Sequence, residues 1–490
     1  MSSKPLPAAL SLVTLLGATE AHAILPAPGE RIRTHDYAID LAQTPVLAST
    51  RVTGLGGAFV AIGEGVDGSA QNPAAVALRS PWSDAHFDYD LGLGVTFPSS
   101  FANSDVFNSG RSTLSNEQLI FLNFALNLQF GRWGFGVSSE LQEYGLTRRT
   151  AGEDGVRRDR LVADFIVTHT MLGYAFHEGQ LLVGAGSRSL ALNVTNETAA
   201  SDRDLFSATG AGYEAGVLIR PNDAQFRIGL SVRSAVTAQA SPSSRVRVAY
   251  AGDPENELFL PDRVSLPWEL HAGLAMQFGP RPFNPTWLDP QREIEELRRY
   301  LDWRASERAR RKAQALRRAP RGANLAAAGR ALDAELETQA ALDELHFERA
   351  KGELAARLRA RYAGMRRFYA LVSVSLEVLG AVDEAVGIES FLERRVQRAA
   401  TRPTYSPRLG LETEAIPGWT RLRVGNYLEA SRFPDNPKGT RAHWTLGVDQ
   451  RLFGWELFGL LSEGSIFRAS GSVDLSRDYF SWGLALGMWH

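Results

Sequence analysis

The amino-acid sequence predicts an all-β transmembrane barrel of about fourteen antiparallel strands, interrupted by an α-helical insertion. Three observations support this fold. Apolar and polar residues alternate along most of the chain, the alternating segments are about 10 to 14 residues long, and short turns alternate with long polar loops. Strands of this length can cross a bilayer, and the difference between turns and loops is typical of the two ends of an outer-membrane barrel.

The composition restricts the possible classes of protein. The chain has 490 residues, a formal net charge of -2 and no cysteine. Because this balance gives no overall positive field, we expect no nucleic-acid partner. The absence of cysteine excludes disulfides, thiolate metal sites and cysteine nucleophiles. A hydrophobic fraction of 44% is low for a polytopic helical membrane protein but fits a barrel, in which alternate strand residues can be polar.

Residues 1–23 are predicted to be a signal peptide. Lys4 gives a basic start, residues 8–18 form an apolar run, and Ala21-His22-Ala23 has the small-residue pattern that signal peptidase accepts. A buried N-terminal helix is the alternative. Because no uninterrupted apolar run of about 18 residues follows, we expect no helical membrane anchor. We therefore expect cleavage near Ala23 and a location in the outer membrane of a Gram-negative-type bacterium.

The strand pattern is clearest in residues 86–97, where apolar side chains alternate with Asp, Gly and Thr without a slip. A soluble β-sandwich would also alternate, with its apolar face inward. The barrel is favoured because the segments are long and because their ends carry aromatic residues, as in the girdles at both membrane interfaces. These aromatic residues are Trp133, Phe176, Trp268, Phe278, Trp455 and Trp482.

The predicted strands form two groups, at 83–284 and 367–490. An even number of strands places every short turn on the periplasmic side. The period is blurred in the predicted strand at 455–469, where Leu460, Leu461 and Ser462 interrupt it. The predicted strands lie near 83–98, 117–130, 133–148, 160–176, 181–195, 205–219, 225–238, 264–278, 367–380, 403–416, 418–430, 441–453, 455–469 and 479–490.

A glycine-rich segment at 51–79 precedes the first predicted strand. It contains Gly54, Gly56, Gly57 and an acidic residue at Asp67, followed by Asn72-Pro73-Ala74. In these features it resembles the FadL-type long-chain fatty acid transporters and their wider outer-membrane relatives. The resemblance implies that residues 24–82 form a plug, or hatch, inside a fourteen-stranded barrel. It assigns plug or gating roles to Gly54, Gly56, Gly57, Asn72, Pro73 and Ala74. A periplasmic extension with an ordinary turn at Asn72-Pro73 is the alternative reading of the residues.

Residues 285–366 change to a helical period and are rich in Ala, Leu, Arg and Glu. A break at Pro320-Arg321-Gly322 divides them into two predicted helices. Strand parity places this insertion on the periplasmic side. An amphipathic hairpin that packs on itself is one interpretation. The other is a docking arm for a periplasmic or cell-wall protein partner.

Sequence motifs for chemistry are scarce. The sequence has no His-Glu-x-x-His zinc motif, no phosphate-binding glycine loop and no Gly-x-Ser-x-Gly elbow. We therefore expect no enzyme, no cofactor and no metal site. Charged residues on two neighbouring predicted strands are interpreted mainly as a solvated network in the lumen. These are Arg408, Glu412, Glu414, Arg421, Arg423 and Glu429.

From these features we expect an outer-membrane channel or transporter for hydrophobic small molecules such as long-chain fatty acids, gated by the N-terminal plug. Its expected partners are the hydrophobic ligand and outer-membrane lipid. Apolar loop residues would collect the ligand. The alternative is a non-transporting barrel that acts as a scaffold or shuttle for a protein partner through the helical insertion. The predicted ligand-collecting residues are Phe101, Phe107, Phe259, Phe391 and Leu392.

Overall fold

The computed structural model describes residues 25–80, 83, 86–98, 105–111, 120–152, 155–198, 201–242, 258–287, 289–318, 325–454 and 466–489. The predicted signal peptide and Phe101 lie outside the described residues.

Strands are numbered along the chain, and fourteen of them form the wall of a barrel. They are β2 (Phe87–Phe97), β3 (Ile120–Phe130), β4 (Trp133–Gly152), β5 (Gly155–Phe176), β6 (Leu181–Thr198), β7 (Ser201–Ile219), β8 (Phe226–Arg233), β12 (Glu269–Phe278), β13 (Ala370–Leu379), β16 (Thr404–Ile416), β17 (Thr420–Glu429), β18 (Arg441–Gly454), β19 (Ile466–Ser476) and β20 (Tyr479–Met488).

The wall closes on itself, and all its neighbouring strands are antiparallel. The first wall strand pairs with the last, with Gly92 opposite Gly487, and β7 pairs with β8, with Glu214 opposite Arg233. Apolar side chains such as Leu484 and Leu486 are exposed on the outside, whereas polar side chains on the same strands are buried in the lumen. An exposed apolar belt on a closed barrel faces lipid. The predicted fourteen-stranded transmembrane barrel is confirmed.

Most predicted strands differ from the structure by a few residues at their ends, and three differ in where the chain enters or leaves the wall. The segment predicted at 225–238 leaves the wall after Arg233, and the segment predicted at 264–278 enters the wall only at Glu269. Pro267 explains the second break, because proline cannot donate to a strand ladder. The strand predicted at 455–469 runs from Ile466 to Ser476, and residues 455–465 lie outside the described part.

A second, five-stranded sheet lies at the end of the barrel that carries the long loops, which we call the loop end. This inner sheet has the order β15 (Arg398–Ala399), β14 (Ala385–Gly387), β1 (Ala38–Asp40), β11 (Arg263–Leu266) and β9 (Val236–Gln239). Its central strand, β1, pairs in parallel with both of its neighbours. A further short strand, β10 (Ser241–Pro242), returns to wall strand β7.

Residues 41–79, here called the lumen segment, contain helix α1 (Thr50–Gly54), helix α2 (Gly65–Ser69) and a 3₁₀ helix at Pro73–Ala77. Helix α1 contacts β17 to β20, α2 contacts β2 to β4, and the 3₁₀ helix contacts β3 to β7. A buried segment that touches strands around so much of the ring lies inside it. The role of this segment as a plug stays a prediction.

The insertion forms two helices, α3 (Pro290–Arg317) and α4 (Leu325–Ala363). The side chain of Asp289 caps α3, and Pro290 occupies its first turn, as is common at helix starts. Arg308 pairs with Asp343 and Arg357 pairs with Glu293, so the two helices are antiparallel. In the described part of the chain, every helix is too short or too polar to cross a membrane.

The helical insertion sits at the same end of the barrel as the short turns, which we call the turn end. Arg361 of α4 donates to the Thr286 carbonyl, and Arg220, beside a short turn, donates to the Pro285 carbonyl. This placement follows from the antiparallel order of the wall, because β12 runs toward the turn end and β13 starts there. One further helix, α5 (Ile388–Glu393), lies between β14 and β15 at the loop end.

Candidate functional site

The three predicted plug glycines lie where the lumen segment touches the wall. A Cβ atom on Gly54 would lie 2.9 Å from the Cα of Gly447 on β18. Gly56 and Gly57 have φ angles of +61° and +77°, a conformation that side chains rarely adopt. A larger residue at any of the three positions would move the lumen segment away from the wall. Their part in gating stays a prediction.

The predicted Asn72-Pro73-Ala74 motif anchors the lumen segment to the opposite side of the wall. The Asn72 Nδ2 donates to the carbonyls of Val60 and Val217, each at 3.1 Å, and its Oδ1 accepts from the Ala74 amide at 3.0 Å. A Cβ atom on Gly216 would lie 2.0 Å from the Asn72 Oδ1, so this contact requires glycine in β7. The motif therefore ties the turn that starts the 3₁₀ helix to a wall strand.

Ion pairs hold the other side of the lumen segment. Arg51 forms two hydrogen bonds of 3.0 Å with Glu412 of β16 and one with Glu64. Burial alone would raise the pKa of Glu64, but Arg227 and Arg51 lower it to about 2. Removing one member of such a buried pair typically costs about 3–5 kcal/mol, because the remaining charge stays in a medium of low polarity.

The charged network continues across the wall and is buried. Arg423 lies between Glu412 and Asp449, and Arg468 joins Asp449 to Asp67 of α2. The sequence interpretation of these strand residues as solvated is wrong, because all six are buried, with exposed fractions of 8% or less. They are Arg408, Glu412, Glu414, Arg421, Arg423 and Glu429. The reason is that the lumen segment fills this part of the barrel and supplies Arg51 as a second cation for Glu412, while Arg423 pairs with Glu412 and Asp449 of the wall.

The predicted ligand-collecting residues come together at the loop end. Phe107, Phe391 and Leu392 belong to one buried apolar cluster, here called the loop-end cluster, and Phe259 packs against it. Phe391 meets Phe206 of β7 edge to face, with ring centroids 5.7 Å apart. These side chains lie inside the cluster and not on exposed loops, because the inner sheet and α5 cover them. Their role in collecting a ligand stays a prediction.

The loop-end cluster is built from many parts of the chain. The N-terminal residues contribute Ile39 and Leu41, and the strand that leaves the wall contributes Val236. The loop between β13 and β16 adds α5, and the wall adds Phe165. Burial of such side chains stabilises the arrangement by about 25 cal/mol for each Å² of apolar surface.

A cavity of about 120 Å³ lies below this cluster in the middle of the lumen. Leu41, Phe165 and Leu266 border it from the cluster side. The rest of its lining combines charged side chains, such as Arg188, Glu269 and Arg408, with amides and small apolar residues. His169 also lines it and bonds to Glu214 at 2.9 Å. A second cavity, of about 100 Å³, lies toward the turn end and is lined by arginine and carboxylate side chains, including Arg51, Glu64, Arg79, Arg220 and Arg227.

Sequence reasoning missed most of the residues that line these cavities. Arg188, Arg233 and Glu269 occupy inward positions of wall strands, and the alternation of the sequence could have placed them in the lumen. Their pairing could not be read in the same way, because it joins strands far apart in the chain. Arg188, for example, bonds to Glu269 at 2.5 Å across 81 residues. Among the described residues, no group of His, Asp and Glu could hold a metal ion.

No protein-family model and no curated protein matches this chain. The chain is similar to the solved structure of the CymD monoaromatic hydrocarbon channel, at 12% identity over 91% of this chain and 97% of that chain, with a TM-score of 0.41. It is also similar to the toluene transporter TodX from Pseudomonas putida, at 12% identity over 91% and 98%, with a TM-score of 0.43. CdiB from Acinetobacter baumannii matches at 7% identity over 92% and 74%, with a TM-score of 0.34.

The fold itself rests on the closed strand order of this chain.

Proposed function

We propose that this chain is an outer-membrane channel for hydrophobic small molecules, with long-chain fatty acids as one ligand class, gated by the lumen segment. One observation carries the proposal. Leu41, Phe165 and Leu266 belong to the loop-end cluster and also border the cavity in the middle of the lumen. An apolar surface therefore continues from beneath the loops into the barrel.

The loop-end cluster has the chemistry of an entry site. An acyl chain or aromatic hydrocarbon gains about 0.8 kcal/mol for each CH₂ group that it buries among apolar side chains. The inner sheet that covers the cluster consists of strands of two to four residues, such as Ala385–Gly387 and Arg398–Ala399. Such short strands have few ladder hydrogen bonds to break, so a ligand can replace protein contacts in the cluster at low cost.

The lumen segment supports the gating part of the proposal. It contacts strands around most of the ring and leaves cavities of only about 100 to 120 Å³. A fatty acid does not fit past it, so passage requires the segment to move. The anchors that would yield are the Asn72 amide on β7 and the Arg51 ion pair on β16.

A second candidate function is a non-transporting barrel that holds a protein partner with its helical insertion. It is favoured by apolar side chains exposed on that insertion. Tyr300 and Trp303 of α3 stack at 5.9 Å, and Leu342 and Leu345 of α4 are at least half exposed. Arg304 pairs with Asp343 at 2.9 Å, which places the four side chains at one level of the hairpin.

Uptake of radiolabelled palmitate by sealed cells tests the two candidates. Leu392→Asp puts a charge into the loop-end cluster, and Leu345→Asp makes the same change on the exposed face of α4. We expect Leu392→Asp to lose most of the uptake and Leu345→Asp to keep it. Heat-dependent migration on gels shows that each variant has assembled. Equal uptake by wild type and by cells without the protein contradicts the channel, and loss of a protein cross-link in Leu345→Asp alone supports the scaffold.

A further inference from the structure

A cavity of about 310 Å³ lies at the turn end, between the barrel and the first turns of the helical insertion. We call it the exit chamber. Ala77, Arg79 and Arg220 line it on the barrel side, and Trp287 and Arg292 line it on the insertion side. The chamber exists because the insertion begins here, so the insertion supplies one of its walls.

Arg220 is the least compensated charge in the exit chamber. It is 3% exposed, its Nη2 donates to the Pro285 carbonyl at 2.9 Å, and its Nε has no hydrogen-bond partner. In the described part of the chain, no carboxylate forms an ion pair with it, and the attraction it receives comes from Glu64, which is paired with Arg51 and Arg227. A buried guanidinium stays charged and is stable only with anionic or carbonyl partners.

The electrostatic environment agrees with this geometry. Burial, and after it the neighbouring cation of Arg227, lower the pKa of Arg220 to about 9. An anion bound beside Arg220 would reverse both effects, because it would replace the lost hydration and offset the repulsion.

Three of the four carboxylates of the exit chamber are already committed to other groups, and the fourth, Glu178, is exposed and forms no ion pair in the described part of the chain. Glu296 pairs with Arg292 at 3.3 Å, and Glu293 pairs with Arg357 at 2.5 Å. Asp289 caps the first turn of α3. The chamber therefore offers a buried cation without offering it a counter-ion.

The exit chamber also communicates with the lumen. Arg79 and Arg220 line both this chamber and the turn-end cavity of the lumen. Arg79 stacks on the ring of Trp287, with its guanidinium carbon 4.6 Å from the ring centroid. Apolar side chains of Ala77, Ala175 and Leu182 complete the lining and belong to one buried cluster.

We propose that the exit chamber binds an amphipathic anion, with its oxyanion on Arg220 and its apolar part against Ala77, Leu182 and Trp287. The anion is the carboxylate of a ligand that has crossed the lumen, so this inference rests on the proposed function. A phospholipid phosphate from the inner leaflet shares the same chemistry, and the experiment separates the two. The helical insertion then serves to wall a site that a barrel without it would open to water.

Photo-crosslinking with the purified full chain in detergent tests the site. The probes are dodecanoate, dodecanol and phosphatidylglycerol, each with a diazirine in an acyl chain, and labelled residues are mapped by mass spectrometry. We expect dodecanoate to label residues 175–182 and 286–292. Arg220→Gln should reduce this labelling about tenfold or more, because a charge-assisted pair is lost. The matched control, Arg299→Gln, should label as the wild type does, because Arg299 lies on α3 outside the chamber and pairs with Glu295 at 3.6 Å.

Several outcomes would overturn the inference. They are equal labelling of the chamber by dodecanol, labelling unaffected by Arg220→Gln, and labelling by phosphatidylglycerol that dodecanoate does not displace. Failure of the proposed function has a different signature. In that case the loop-end cluster, at Phe206 and Phe391, would also remain unlabelled in the wild type. Labelling of that cluster without labelling of the chamber contradicts the exit site alone.

Discussion

Asn72 joins the lumen segment to the barrel wall by donating to the Val217 carbonyl, and its side-chain amide makes two further hydrogen bonds within the segment, to the Val60 carbonyl and from the Ala74 amide. We predict that Asn72→Ala loosens this half of the segment, because the carbonyls of Val60 and Val217 lose their donor in a buried site. Each buried polar group left unpaired costs about 1–3 kcal/mol. Hydrogen exchange measured by mass spectrometry should become faster in residues 60–78 and stay unchanged in the wall strands.

Asn222 provides the matched control for that measurement. It lies in the short turn after β7, and its Oδ1 makes no hydrogen bond in the described part of the chain. Asn222→Ala should therefore leave the exchange of residues 60–78 as it is in the wild type. Unchanged exchange in Asn72→Ala as well would show that the motif does not anchor the segment.

Glu389 of α5 should make stability depend on pH. Burial, and after it the charge of Asp105, raise the pKa of Glu389 from 4.5 to about 8, while Glu393 adds repulsion and Arg111 opposes it. Between these two values the folded state holds a proton that the unfolded state has released. Stability should therefore fall as the pH rises from about 4.5 to about 8.

Denaturation in urea across this range of pH measures the effect. Glu389→Gln should remove the fall in stability, and Glu384→Gln, at an exposed position of the same loop, should keep it. A wild-type stability that rises over this range would contradict the assignment of Glu389 as a buried, protonated carboxyl group.

At the scale of single residues, the sequence could predict which positions face lipid but not which charges meet. The alternation places Arg423 and Asp449 in the lumen. Their bidentate pairing follows from register between β17 and β18, and the participation of Arg51 follows from where the lumen segment lies. The sequence around Arg220 does not indicate that it lacks a counter-ion, because this depends on residues that are distant in the chain and close in space.

At the scale of elements, the helical insertion should be separable from the barrel. Strands β12 and β13 pair over their whole length, so their ends at the turn end are neighbours and a short linker can join them. We predict that replacing residues 291–363 by a Gly/Ser linker preserves heat-dependent migration on gels, because the wall satisfies its own hydrogen bonds. Failure of this variant to assemble would show that the insertion is needed for folding.

The wall strands were predictable because their two faces meet different surroundings, lipid outside and a polar lumen inside, so apolar and polar residues alternate along the sequence. The inner sheet was not predictable from the sequence. Its strands β1 and β14 are short and buried on both sides, so they lack a period. The sequence also does not indicate that the chain leaves the wall after Arg233. Val236 and Ala238 continue the alternation of β8, although they lie on the inner sheet.

At the scale of the whole molecule, the antiparallel order fixes which end each segment occupies. The helical insertion lies at the turn end, and the turn at Arg477–Asp478 lies at the opposite end. With the turn end in the periplasm, trypsin added to sealed cells should not cut at residues 317–321. A tag inserted after Arg477 should be labelled in the same cells. Cleavage at 317–321 in sealed cells would mean that the barrel has the reverse orientation.

A disulfide between the lumen segment and the wall tests the central claim, that the segment moves to open the channel. The sequence has no cysteine, so paired substitutions give a single bond. A Cβ atom on Gly173 would lie 3.2 Å from the Cβ of Ala77, near the separation of about 3.8 Å in disulfides. The control pair, Gly94→Cys with Ala485→Cys, joins two wall strands at 3.3 Å.

The measurement is the flux of a fluorescent fatty acid into vesicles that contain each variant. Oxidised Ala77→Cys/Gly173→Cys should show the flux of empty vesicles and recover that of the wild type on reduction, while the control pair transports in both states. Equal flux before and after reduction of the Ala77→Cys/Gly173→Cys variant, with the disulfide shown to have formed, would contradict gating by the lumen segment.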